Sequence, residues 1–370
     1  MRRLVALDLP GGPGFVDALR RVWDDGDAAL VLDRRAPAAT TATLLDEVRP
    51  AVVRDAGGDH WLDQAEPTEA GDALVVATSG STGVPKGVVL THGALRASAV
   101  ATTTRLGLTD EDVWLACLPL NHIGGLAVVT RALATDRRVV VHDGFDADAV
   151  SHAGATAVSL VATALQRIDP SIFRVIVLGG ARPPADRPPN AVTTYGMTET
   201  GSGVVYDGRP LDGVEVRIDE TGEIHLRGPM LLRAYRGRHA PIQPRDADGW
   251  LATGDLGHWR SDGRLHVDGR RGDLIISGGE NVWPEPVEAS LREMPGVADV
   301  VVAGRPDPEW GERVVAWIVP DGVPPTLTEL RAHVRASLPA FMAPRELHLV
   351  EAIPRTSLGK PARHRLSPRA

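Results

Sequence analysis

Short apolar runs rich in β-branched residues recur through the first half of the chain. ALVVATS (73–79), RRVVVHD (137–143) and FRVIVLGG (173–180) each read as a strand. Between the last two, DADAVSHAGATAVSLVATALQRI (146–168) is long and alanine-rich enough to predict a helix. Strand and helix in alternation predict a mainly parallel sheet covered by helices. From about residue 211 the texture changes. GVEVRIDETGEIHLRG predicts a hairpin turning at Glu220–Gly222, and GHWRSDGRLHVDGR a second turning at Ser261–Gly263. Together they predict an antiparallel β-subdomain over about 205–270. After DGRRGD (268–273) the pattern resets. WPEPVEASLREMPG predicts a helix with Pro284 in its first turn and Gly296 beyond its end. VADVVVAG, ERVVAWIVP, the helical TLTELRAHVRASL and RELHLVE complete a compact α+β unit. The expected division is therefore 1–270 and 271–370, with no internal repeat and no long low-complexity tract.

Composition narrows the function classes. A chain of 370 residues can bury two cores, and 43% hydrophobic with 24% charged residues is ordinary for a soluble globular protein. A net charge of −8 argues against a general polyanion binder, since nucleic acid calls for a basic face. The single cysteine, Cys117, forms no disulfide within the chain and fits a reducing compartment. MRRLVALDLPGG has two arginines but a short apolar run broken by Asp8, too little for a secretory signal. No run approaches the roughly 18 apolar residues of a membrane span. The expectation is a cytoplasmic protein with no nucleic-acid partner and no membrane insertion.

Lysine supplies the first chemical clue. Of 40 basic residues only Lys86 and Lys360 are lysines, both beside glycine, in SGSTGVPKG (79–87) and PRTSLGK (354–360). Arg is a wide planar fork, whereas Lys points one compact charge into a narrow space. The stretch SGSTGVPKG follows a strand and is dense in Gly, Ser and Thr. Such a loop can bring N–H groups and hydroxyls to phosphate oxygens, with Lys86 adding a point charge. It is not the GxxxxGK[ST] loop, because Gly87 stands where that motif has its Mg²⁺-binding hydroxyl. A glycine-rich surface turn is the alternative for this loop taken alone.

Further pieces follow in order: TTYGMTETG (193–201), LATGDLG (251–257), GRRGDLIISGGENVWPEPVE (269–288) and PRTSLGK. With these the chain resembles the adenylate-forming enzymes, which comprise acyl- and aryl-CoA ligases, luciferases and peptide-synthetase adenylation domains. The resemblance runs from about 72 to 362. It implies an α/β N-terminal domain of mainly parallel sheets and helices with an antiparallel subdomain, followed by a small mobile α+β lid. It also implies two steps: a carboxylate attacks the α-phosphate of ATP to release pyrophosphate, and a thiol, that of coenzyme A, then displaces AMP. Carried over position by position, Thr78, Ser79, Gly80, Ser81, Thr82, Gly83 and Lys86 would cradle the β- and γ-phosphates. Gly179, Gly180 and Gly196 would line the nucleotide site, and Tyr195 would stack on adenine. Thr198 would bond the α-phosphate and Glu199 would hold Mg²⁺. Asp255 would accept the ribose hydroxyls with Arg270 nearby, and Lys360 would bridge the attacking carboxylate and the α-phosphate. Gly272 stands at the family's hinge, a position that usually carries Asp or Lys. Gly278 and Gly279 of SGGEN would line the coenzyme A channel.

LPLNHIGGLAVVTRAL (118–133) bears on the acid. With TYGMTETGSGVVYDGRPLDGV (194–214) it resembles the o-succinylbenzoate–CoA ligases of menaquinone biosynthesis, although Asn121 replaces the aromatic of their aromatic–His pair. By this resemblance Arg131 would pair with the substrate's aromatic carboxylate, and His122 and Gly124 would shape the acyl pocket. Three readings stay open. The first is this ligase. The second is a CoA ligase for another small aryl or acyl acid, or a stand-alone adenylation domain; no carrier domain after Ala370 counts against a multidomain synthetase. The third is a non-catalytic nucleotide-binding protein, which predicts loss of Glu199 or Lys360, and both are present. A small carboxylic acid is the expected partner, and a homodimer stays open.

Overall fold

The computed structural model describes residues 2–79, 85–180, 186–238, 243–355 and 361–366. They form two compact units, one of residues 1–217, 225–252 and 260–265, the other of 218–224, 253–259 and 266–370. Two seven-stranded sheets build the first unit. In one, the spatial order is Ala234–Arg236, Pro85–Thr91, Asp72–Ser79, Ala28–Val31, Leu4–Leu7, Val52–Asp55 and Gly58–Trp61. Its four central strands are parallel, and antiparallel strands flank them on both sides. Leu4, Ala6, Leu30, Val48, Val75 and Val89 form one core on this sheet.

The other sheet runs Arg209–Pro210, Ser202–Tyr206, Ala191–Met197, Val175–Leu178, Ala157–Leu160, Val113–Ala116 and Arg138–Val141. Five strands are parallel, and the Ser202–Tyr206 strand turns back antiparallel on Ala191–Met197. Here the single helix expected over 146–168 is corrected. The chain makes a short helix Ala147–Ser151, the strand Ala157–Leu160 and a second short helix Ala162–Leu165. His152 caps the first helix, and Gly154, two residues on, takes a left-handed φ of 63° in the turn toward the strand. All four strand residues are buried, so an alanine-rich segment was taken up by a central parallel strand whose unbroken apolar run carries no period-2 signal.

The amino ends of these parallel strands are tied by ions. Asp112, 3% exposed, precedes the strand Val113–Ala116 and accepts from the Arg174 Nη2 at 2.6 Å, the Thr156 hydroxyl at 2.7 Å and the Thr109 N–H at 2.7 Å. Thr156 and Arg174 each precede a neighbouring parallel strand. Burial pushes the Asp112 carboxyl up, but the Arg174 guanidinium and the two other donors outweigh it and hold it well below the usual carboxylate range.

In the second unit, Val297–Asp307 and Gly311–Pro320 form a long antiparallel pair, and Glu346–Leu349 lies parallel on Gly311–Pro320. The helices Pro284–Arg292 and Leu327–Ser337 bury Val287, Leu291, Leu330 and Val334 against Val300, Val302, Val314 and Ala316. Pro284 opens the first helix as the sequence predicts, and Thr326 caps the second through the Glu329 N–H. Among the described residues no helix is long and apolar enough to cross a membrane.

Candidate active site

Open parallel sheets present ligand sites at the carboxyl ends of their strands. The second sheet of the first unit places its candidates there. Val113–Ala116 leads to His122, Val175–Leu178 to Gly179 and Gly180, and Ala191–Met197 to Thr198 and Glu199.

Thr198–Thr200 is one 3₁₀ turn closed by Gly201. Thr200, fully buried, accepts the Met197 N–H at 2.9 Å and donates to the Ser202 carbonyl at 2.6 Å, so the turn is held by its own hydroxyl. Upstream, the pairing with Ser202–Tyr206 shifts register between Tyr195 and Gly196. A Cβ at Gly196 would stand 2.2 Å from the Ser202 carbonyl oxygen, a distance no side chain tolerates. Gly196 is thus required by backbone contact and is itself exposed. Gly179 donates its N–H to the Leu160 carbonyl at 3.1 Å, and a Cβ there would press on the Thr194 hydroxyl.

Glu199, 6% exposed, is the electrostatic focus. Its Oε1 accepts from the Tyr235 hydroxyl at 3.0 Å and lies 3.6 Å from Lys86 Nζ. The same ammonium sits 3.6 Å over the centre of the Tyr235 ring. The register of Asp72–Ser79 with Pro85–Thr91 sets Thr78 opposite Lys86. The loop Gly80, Ser81, Thr82 and Gly83 between them lies outside the described residues, as do the Ser79 side chain and Lys360. Tyr235 escaped the sequence reading. The chain holds only three tyrosines, Tyr195, Tyr206 and Tyr235, and that scarcity was the available signal.

The acid-side candidates share one helix, Ile123–Ala134. His122 is its N-cap residue, and Asn121 Nδ2 stands 3.2 Å from His122 Nε2. An amide nitrogen only donates, so this contact calls for the imidazole proton on Nδ1. Gly124 is exposed and a Cβ there would meet nothing nearer than 3.8 Å, whereas one at Gly125 would stand 2.4 Å from the Leu118 carbonyl oxygen. Packing therefore demands Gly125, and Gly124 is free of that demand. Two turns on, Arg131 is 3% exposed, donates from Nη2 to Ser202 Oγ at 3.2 Å and lies 4.8 Å over the Trp114 ring. Its Nε and Nη1 have no hydrogen-bond partner among the described residues. Burial pulls the guanidinium below its ordinary value, and the nearby Tyr206 hydroxyl opposes this. A buried cation with two unused donors suits a planar anion.

Asp255 and Arg270 belong to the second unit. Asp255 Oδ1 stands 3.7 Å from Arg270 Nε. The Asp255 N–H donates to the Thr253 hydroxyl at 3.1 Å, and that hydroxyl donates to the Ile224 carbonyl at 2.7 Å. Gly272 has open space around it and a φ outside the left-handed region, so this conformation does not itself require glycine. Gly278 and Gly279 join the strands Ile275–Ser277 and Glu280–Val282 with φ of 62° and 82°. A two-residue hairpin turn with both φ positive accounts for both glycines.

The family model described as AMP-binding enzyme matches residues 16–236. The chain belongs to the AMP-binding enzymes. A model of the C-terminal domain of AMP-binding enzymes also matches, over 286–360. Among AMP-binding enzymes, a "Probable 2-succinylbenzoate--CoA ligase" of Mycobacterium tuberculosis is 40% identical over 388 aligned positions, covering 96% of this chain and 95% of that protein. The 2-succinylbenzoate–CoA ligase of Listeria monocytogenes is 35% identical, covering 80% and 70%. In structure, the o-succinylbenzoate CoA synthetase of Bacillus subtilis, in complex with its acyl-adenylate intermediate, superposes with a TM-score of 0.88 at 28% identity, covering 100% of this chain and 89% of that one. The same enzyme with ATP and magnesium ion gives 0.87 at 29%, covering 99% and 90%. The fold is thus the adenylate-forming one of this AMP-binding family, with mixed α/β sheets in a large N-terminal part and a smaller C-terminal part.

Proposed function

We propose that this chain is a 2-succinylbenzoate–CoA ligase. The carboxylate of the acid attacks the α-phosphorus of ATP, the bond to the bridging oxygen breaks, and pyrophosphate leaves. The coenzyme A sulfur then attacks the acyl carbon of the adenylate, the thiol proton passes to solvent, and AMP departs. The observation that carries this reading is the near full-length likeness to proteins named for this one acid. The buried Arg131, with two donors unused, supports it from the site.

The first step joins two anions, so neutralisation and alignment are the tasks of the site. Lys86 brings its charge beside Glu199, and Tyr235 holds both, one through its ring and one through its hydroxyl. Thr198 lies next to Glu199 in a turn braced by Thr200 and would donate to the α-phosphate. Tyr195 would stack on the base, with Gly179, Gly180 and Gly196 leaving room for it. Asp255, oriented through Thr253, would accept the ribose hydroxyls, and Lys360 would bridge the two reacting anions. Arg131 would hold the aromatic carboxylate, while His122 and the bare Gly124 shape the wall. The buried carboxylate of Glu199, already taking one hydroxyl donor, fits Mg²⁺, which prefers oxygen ligands and needs only one or two carboxylates when phosphates supply the rest. The ion would supply further charge neutralisation on the phosphates. Gly278 and Gly279 would keep a bare-backbone path for the thiol, and Gly272 would be the hinge between the 1–270 and 271–370 parts.

Pyrophosphate release over a panel of aryl and dicarboxylic acids tests the reading, with thioester formation followed by mass spectrometry. Release with 2-succinylbenzoate, and its thioester only when coenzyme A is added, is expected. Turnover with another acid, and none with this one, would overturn it.

A further inference from the structure

Glu223 has no motif to mark it, yet it stands where two parts of the proposed machinery meet. Its side chain is 16% exposed. Oε1 accepts the Gly254 N–H at 2.9 Å, and Oε2 lies 2.9 Å from Nη2 of Arg271. Nη2 of Arg271 also donates to the Thr221 hydroxyl at 2.5 Å. One residue on, the Ile224 carbonyl takes the Thr253 hydroxyl. Residues 223 and 224 thus hold the backbone that carries Asp255, and Glu223, together with Thr221, also holds the residue just before Gly272. The turn feeding Glu223 is stiff, because Asp219 Oδ1 accepts from the Thr221 N–H at 2.8 Å, the Thr221 hydroxyl at 2.6 Å and the Glu223 N–H at 3.0 Å. On the far side of Gly272, Asp273 pairs with Arg363 at 3.4 Å. The residues flanking that glycine each carry a side-chain ion pair, and all three share one 3₁₀ turn, Arg271–Asp273, closed by the Leu274 N–H on the Arg271 carbonyl at 3.3 Å.

We infer that Glu223 is a positioning residue that couples the Asp255 turn to the connection at Gly272. The inference rests on the reading of Asp255 as a nucleotide contact. A carboxylate has two oxygens, and here each serves a different element. If Arg271 moves when the chain turns at Gly272, Glu223 loses one partner and its hold on Gly254 is altered. Nucleotide geometry and the state of the connection are then linked through one side chain, with no contact between Glu223 and the reacting atoms.

The substitutions Glu223→Ala, Glu223→Gln and Arg271→Ala separate the two bonds in the full-length protein. Glutamine keeps an acceptor for the Gly254 N–H but loses the ion pair. Glu223→Ala is expected to raise the KM for ATP about tenfold, the worth of one charge-assisted hydrogen bond. Glu223→Gln is expected to leave that KM near wild type and to change the ratio of thioester formation to adenylate formation in single-turnover assays. Arg271→Ala should change the ratio the same way, and the double variant should go no further. A uniform fall in kcat with a lowered Tm, an unchanged KM and an unchanged ratio would mark a merely structural residue and overturn the inference. Additive effects of Glu223→Gln and Arg271→Ala would also overturn it. Asp255→Ala is the separate control. If it leaves the KM for ATP unchanged, the ribose assignment falls, while the Glu223–Arg271 cycle still reads the coupling.

Discussion

At the scale of single residues, scarce side chains mark the site. Lys86 lies against a ring and a carboxylate at 3.6 Å from each, a space that suits a compact ammonium and not a planar fork. Lys86→Arg should therefore lower adenylate formation by roughly 10²-fold despite keeping the charge, measured by pyrophosphate exchange. Arg131→Ala should cost roughly 2–5 kcal/mol in kcat/KM for 2-succinylbenzoate, the range for removing one member of a buried charge pair. Steady-state kinetics beside an acid lacking the aromatic carboxylate would check this, since that acid should be far less affected. The motif residues were legible because the backbone dictates them: Gly196 sits where nothing larger fits. Tyr235 and Glu223 were not, because their partners are brought to them by strand register and turn geometry across long sequence separations.

At the scale of elements, the two ends of the second sheet of the first unit divide the labour. The amino ends carry Asp112, Thr156 and Arg174, a knot at the opposite end of the strands from the candidate residues. Asp112→Asn should cost about 1–3 kcal/mol at neutral pH, a buried charge-assisted bond discounted for the partly exposed arginine. The sign follows from the depressed carboxyl. The stability it gives is full above the unfolded value near 3.9 and is lost as pH falls toward the lower folded value. The gap between denaturant titrations of the two proteins should therefore be constant above about pH 4 and narrow steadily as pH falls below it. At the carboxyl ends, neighbouring glycines differ in kind. Gly125→Ala should destabilise the fold by about 1–3 kcal/mol through its clash with the Leu118 carbonyl, whereas Gly124→Ala should hold or slightly raise the Tm and alter the KM for the acid. The strand Ala157–Leu160 was the element the sequence concealed. Alanine's helical preference is weak evidence against burial on both faces of a sheet.

At the scale of the whole molecule, the two hairpins and Pro284 were readable because turn and helix-start chemistry is local. How residues 218–224 and 253–259 group with the C-terminal part was not, since that follows from packing. Gly272 belongs to this scale. Nothing around it demands glycine in the present conformation, so Gly272→Ala should hold or slightly raise stability, by up to about 1 kcal/mol through the unfolded chain. It should also slow thioester formation relative to adenylate formation. Thermal melts and single-turnover quenching would read the two effects separately.

The arrangement of one sheet has a practical corollary. On the proposed reading the acid would be met by a single helix that follows the strand Val113–Ala116, and the nucleotide by turns that follow two other strands. A library confined to the inner face of that helix can search for new thioester products, and the energy-coupling half of the scaffold need not be disturbed at all.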